Sequence, residues 1–211
     1  MRHTGSLRGR SPFRGWALVL GCCSLGLPLT AAAWSLQING ASTRVFLHVG
    51  TGTADANNNT VDRVTADLTT AQLLSGVPQA MTNSGGQSRS LSGDNFATCP
   101  TPASQVLIGA SYRRNGNSQQ QATLSVTAPA SLVSAAGDTI PITEISWTVS
   151  APGSPVPGII PAGTFVAGQQ QLANVPPNTY IENCHTFRYA NSAIRAAGTY
   201  DGTVTYTLSA P

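Results

Sequence analysis

The chain closes on GTYDGTVTYTLSAP, residues 198–211, where apolar and hydroxylated or acidic side chains alternate to the last residues. Tyr200, Val204, Tyr206, Leu208 and Ala210 share one parity with Gly202. Thr199, Asp201, Thr203, Thr205, Thr207 and Ser209 share the other. Side chains of a β-strand point to alternate faces with period two. The stretch therefore predicts one long strand with an apolar face toward a core and a threonine-lined face toward solvent. A strand of this kind needs a partner along its edge as well as a core beneath it. Whether that partner belongs to the same chain or to another is the functional question.

Working back from the C-terminus, the same period recurs in WSLQI (34–38), TRVFLHV (43–49), TVDRVTADL (60–68), QVLIGASY (105–112), ATLSVTA (122–128), ITEISWTV (142–149) and HTFRYA (185–190). Gly, Pro, Asn and Ser cluster between these runs, as turns require. Only TTAQLLSG (69–76) predicts a short helix, with Thr70 as N-cap and Gly76 as stop. Many short strands without βαβ alternation imply an all-β fold, an antiparallel β-sandwich, with a barrel as the alternative. Two long loops are expected, at 83–95 and over the proline-rich 151–161, because proline cannot donate to a ladder. The repeated QQQ at 119–121 and 169–171 lacks matching flanks and reads as coincidence on polar edges.

Residues 1–33 have the layout of a secretory signal peptide. Arg2, Arg8, Arg10 and Arg14 precede the apolar WALVLGCCSLGLPLT, and Ala31, Ala32 and Ala33 offer a small-residue cleavage site, so that a single domain is expected over 34–211. Lipoprotein-type processing at Cys22 is the alternative, and the apolar run is short for a membrane span. Of the eleven arginines four lie in this leader, leaving seven against eight acidic residues, and the chain has no lysine. Nucleic-acid binding normally shows as a basic cluster, and only Arg113 and Arg114 form a basic pair, so no nucleic-acid partner is expected. With 9% charged residues, solubility rests on neutral polar groups.

Cys99 and Cys184 are the cysteines outside the leader, and in an exported chain a lone pair implies a disulfide. Catalytic signatures are sparse. DANNNTVD (55–62) places Asp55, Asn57 and Asn59 as in a calcium loop, but Thr60 stands where glycine is required and Ala66 where glutamate is required. In ENCH (182–185), strand alternation puts Glu182 and Cys184 on one face and His185 on the other, so they do not converge on an ion. His48 could meet His185 only through tertiary contact. No GxSxG elbow occurs, and no acid pair stands out for glycoside hydrolysis. No catalytic residue, metal or cofactor is therefore expected. Trp147 shares a face with Ile145 and Val149 and reads as core.

The closing strand, together with the leader and the absence of lysine, resembles the subunits of bacterial chaperone-usher fimbriae and the related spore coat U family of secreted proteins. The resemblance rests on Gly198, Tyr200, Asp201, Gly202, Val204, Tyr206 and Leu208. It implies an immunoglobulin-like sandwich lacking its last strand, with the gap filled first by a periplasmic chaperone and then, at an outer-membrane usher, by the N-terminal extension of a like subunit. Trp34, Leu36, Ile38 and Gly40 alternate ahead of the first internal strand and form the donor segment in this reading. Alternatively they are the first strand of a complete sandwich. The chain departs from spore coat U domains in having no cysteine at its first strand. A non-enzymatic, exported surface subunit is thus the leading expectation. A self-contained module binding carbohydrate through Tyr112, Tyr180 or Tyr189 is the second, and a secreted hydrolase the third.

Overall fold

The computed structural model describes residues 43–50, 52–54, 62–84, 99–116, 119–150 and 160–211. All of them fall in one compact unit spanning 38–211. In chain order the elements are β1 (Thr43–Val49), β2 (Gly52–Ala54), β3 (Val64–Thr65), α1 (Thr70–Ser75), β4 (Gln79–Ala80), β5 (Thr82–Asn83), β6 (Val106–Arg114) and β7 (Ala122–Ala128). There follow β8 (Ser131–Ser134), β9 (Thr139–Pro141), a 3₁₀ turn (Ile142–Glu144), β10 (Ile145–Ser150), β11 (Gly163–Thr164), β12 (Gly168–Val175), β13 (Thr179–Tyr189), β14 (Tyr200–Asp201) and β15 (Thr205–Ser209).

The fold is an all-β sandwich. Its larger sheet runs β11-β10-β13-β6-β1-β2, with β4 pairing the end of β13, and its smaller sheet runs β12-β7-β15. Two ladders, β14-β8-β9 and β3-β5, stand beside them. The pairings between named strands are antiparallel.

The core lies between the two sheets. Val106, Ile108, Ala110 and Tyr112 of β6 share a face with Ile181, Phe187 and Tyr189 of β13 and with Ile145 and Trp147 of β10. Opposite them stand Ala122, Leu124, Val126 and Ala128 of β7, with Leu172, Ala173 and Val175 of β12. A bulge in β12 shifts the register between Gln171 and Ala173. It inserts one residue and so resets the parity, letting Ala173 and Val175 face inward after the polar glutamines. Trp147 is core, as its parity implies; its ring packs 4.7 Å from that of Phe165 and its indole N–H donates to Pro161 O at 2.9 Å.

The outer face of β6 is covered too. Leu107 is fully buried with Cys99 and Cys184, which form the expected disulfide across a sequence separation of 85. Cys184 is the register partner of Leu107, so the bridge pins the segment at Cys99 onto the back of the larger sheet.

Several expectations are corrected. The closing stretch is not one strand: β14 pairs β8, residues 202–204 leave the ladder, and β15 pairs β7. The break occurs where the chain passes from one sheet to another over Leu132; a Cβ on Gly202 would lie 2.6 Å from Leu132 Cδ2. The helix is capped by Thr69 rather than Thr70, through a capping box in which Gln72 Oε1 accepts from Thr69 N at 2.9 Å. Gly76 ends it, at φ 63°. Of the expected strand 60–68, residues 60 and 61 lie outside the described residues and within 62–68 only Val64–Thr65 is strand; Ile142–Glu144 is a 3₁₀ turn, and β13 begins at Thr179, well before the expected 185. Residues 85–95 and 151–159 of the two expected loops lie outside the described residues.

Because the disulfide closes a long loop, its removal should cost roughly 2–5 kcal/mol. Urea denaturation of a Cys99→Ser/Cys184→Ser variant checks this, and a loss below about 1 kcal/mol would show that the bridge contributes little to the folded state.

Candidate functional site: the edge of the closing strand

Among the described residues β15 has one hydrogen-bonded neighbour, β7, in the register Thr205 to Thr127, Tyr206 to Val126, Thr207 to Ser125, Leu208 to Leu124 and Ser209 to Thr123. It also approaches β1, with which it forms no ladder among the described residues. β1 pairs β6 along its length, and among the described residues β2 pairs it at Leu47, His48 and Val49. Where β1 and β15 come together, the two sheets meet along a seam that no described ladder closes.

The seam is apolar and incompletely covered. Val204, Tyr206, Leu208 and Ala210 from the closing stretch, and Leu47 and Val49 from β1, pack against the core yet remain only half-buried. By contrast Leu124 and Val126, their neighbours on β7, are 0% and 1% exposed. Thr205, Thr207 and Ser209 point outward and are exposed. Burial in apolar surroundings pushes the Tyr206 phenol up, so it stays neutral across the physiological range.

The sequence-predicted residues divide accordingly. Val204, Tyr206 and Leu208 line the seam. Tyr200 sits in β14, its hydroxyl donating to Ala196 O at 2.9 Å, and Gly198 and Gly202 shape the approach against Ser134 and Leu132. The donor residues Trp34, Leu36, Ile38 and Gly40 lie outside the described residues, as do Asp55, Asn57 and Asn59 of the calcium-like loop.

Register settles the histidine question. His48, Gly109 and Glu182 form one row on the outer face of the larger sheet, whereas His185 pairs Val106 and points into the core. The two histidines thus sit on opposite faces of the sheet. His48 is fully buried, its Nε2 lies 3.0 Å from Gly50 O, and its Nδ1 has no partner among the described residues. Burial lowers its pKa, against opposing contributions from that carbonyl and from Asp62. Among the described residues no group of three His, Cys, Asp or Glu side chains can hold a metal. Of the three tyrosines named for sugar binding, Tyr112 is 0% and Tyr189 6% exposed, so only Tyr180, half-buried on the outer face, can meet a ligand. No helix among the described residues is long and apolar enough to cross a membrane.

Compared with protein-family models, with curated proteins and with solved structures, the chain matches none.

His185 supplies a pH dependence. Its ring stacks 6.2 Å from that of Trp147, neither nitrogen has a partner among the described residues, and burial lowers its pKa to about 3. A histidine that must stay neutral when folded stabilises the fold above its unfolded pKa of 6.5, and that stability is lost as pH falls toward 3. Between neutral pH and about pH 4 the loss from this group should be on the order of 3 kcal/mol. In denaturant titrations at both pH values, His185→Leu should flatten the acid limb by about that amount; an unchanged limb would assign the acid sensitivity elsewhere.

Proposed function

We propose that this chain is a non-enzymatic, exported structural subunit of a fimbrial or related surface assembly, built by β-strand addition at the edge of β15. The observation that carries the reading is the combination in one seam of a strand edge with, among the described residues, one hydrogen-bonded neighbour and a half-buried apolar row beneath it. Added strands derive affinity from backbone hydrogen bonds and specificity from alternate side chains entering pockets, and the seam offers both.

Edge chemistry favours β15 over the other edge of the same sheet. Exposed edges are normally blunted with charge, proline, bulges or covering segments. β12 carries a bulge at Leu172, and its Gln170 donates to Thr164 O at 3.2 Å. β15, reading TYTLS, has neither charge nor proline nor bulge. In this reading the occupant is residues 34–40 of a second copy, whose Trp34, Leu36 and Ile38 have the period needed to enter the seam. The immunoglobulin-like incomplete sandwich, the periplasmic chaperone and the usher belong to the same proposal. They follow from the resemblance of the closing strand.

A chain beginning at Trp34 should form oligomers that resist denaturant, and one beginning at Thr43 should remain monomeric and bind a synthetic peptide of residues 34–42. Native mass spectrometry separates these outcomes. Identical mass distributions and equal resistance to unfolding would sink the proposal. Thr207→Lys, on the exposed side of β15, should abolish assembly while changing monomer stability by no more than about 0.5 kcal/mol.

A further inference from the structure

Away from the seam, strand register arranges the outer face of the larger sheet in three rows: Arg44 beside Arg113; Phe46 beside Ser111 and Tyr180; His48 beside Gly109 and Glu182. Bulky side chains on β1 and β13 thus flank small ones on β6. The Tyr180 ring lies over Gly109, its phenol oxygen 2.4 Å from where a Cβ on Gly109 would stand, and it meets Phe46 with ring centroids 6.5 Å apart and planes tilted by 51°. Beside it is a pocket of about 270 Å³ lined by Ser111, Tyr112, Arg113, Asn178, Thr179 and Tyr180.

The two neighbouring arginines differ in their surroundings. Arg114 is held by Gln120 Oε1 at 2.5 Å. Arg113 is exposed and has no hydrogen-bond partner among the described residues. Asn178, in the left-handed region at φ 58°, uses Oδ1 to accept from Arg114 N at 3.2 Å, which leaves its amide N–H groups as donors. In a chain with so few charges, a guanidinium without a hydrogen-bond partner among the described residues, beside a pocket that Tyr180 lines, is a specific feature.

We propose that this pocket binds one anionic sugar unit, its carboxylate or sulfate on Arg113 and its ring against Tyr180. A guanidinium presents a planar fork of donors that matches such anions. Ser111 and Asn178 supply neutral polar groups for ring hydroxyls. The volume lies at the small end for ligand pockets, which suits a single ring rather than an extended chain. This site is separate from the β15 edge and does not depend on strand addition.

The test is saturation-transfer NMR and calorimetry on the chain beginning at Trp34. The probes are a methyl glucuronide, a methyl sialoside, glucose 6-sulfate, neutral methyl glucoside, and acetate as an anion without a ring. The anionic sugars should bind at millimolar concentration, and the carboxylated and sulfated probes report which anion is preferred; methyl glucoside and acetate should not bind. Arg113→Gln should weaken binding by roughly tenfold or more, Arg113→Lys by less, and Arg114→Gln not at all, with folding of each variant checked by its NMR spectrum. Absence of saturable binding by the anionic sugars, equal binding of the neutral sugar or of acetate, or equal losses in Arg113→Gln and Arg114→Gln would each overturn the site.

Discussion

The hydrogen bonding of β6 on both edges, combined with burial of both its faces, is the constraint on which the rest of the structure depends. Residues 106–110 are all buried. The inward row packs on the smaller sheet and the outward Leu107 packs on the disulfide. Because side chains alternate with period two, a one-residue slip of β1 or β13 against β6 would exchange these rows. The register is therefore strongly specified, and with it the company each side chain keeps. Gly109 between His48 and Glu182, and Ser111 between Phe46 and Tyr180, are consequences of that ladder.

The smaller sheet is less constrained. Among the described residues β7 is its central strand, with β12 and β15 as edges. Where β15 approaches β1 of the larger sheet, the apolar side chains of both remain only half-buried. A seam of that kind is a cost to an isolated monomer and a docking surface to an assembling one, which is why the proposed function is placed there.

Strands whose apolar residues alternate were legible in the sequence. TRVFLHV and ATLSVTA match β1 and β7 in both type and bounds, because the pleat of a strand with an apolar face imprints a two-residue period on the order of residues. β13 was legible only in part: Glu182 and Asn183 occupy buried positions, and their polarity hides the strand that contains them. The pairing of Cys99 with Cys184 followed from there being no other candidates outside the leader. The closing stretch misled for a subtler reason. Its alternation runs unbroken through Gly202, but a change of partner from β8 to β7 leaves no trace in residue parity. Nothing local marked the pocket beside Arg113 either, since its lining comes from β6 and from the start of β13, far apart in sequence.

What the sequence determined by itself is the fold class, the disulfide pair and the inward parity of the last strand. These are properties of spacing along one chain, set by the two-residue repeat of a strand and by the count of cysteines. Tertiary structure alone decided which edge of that strand is paired, that His48 and His185 lie on opposite faces of a sheet, and that Tyr180 rather than Tyr112 or Tyr189 faces outward. Each of those depends on which distant strand lies alongside, and a ladder's partners are set by the packing of the whole core rather than by the order of residues within any one strand.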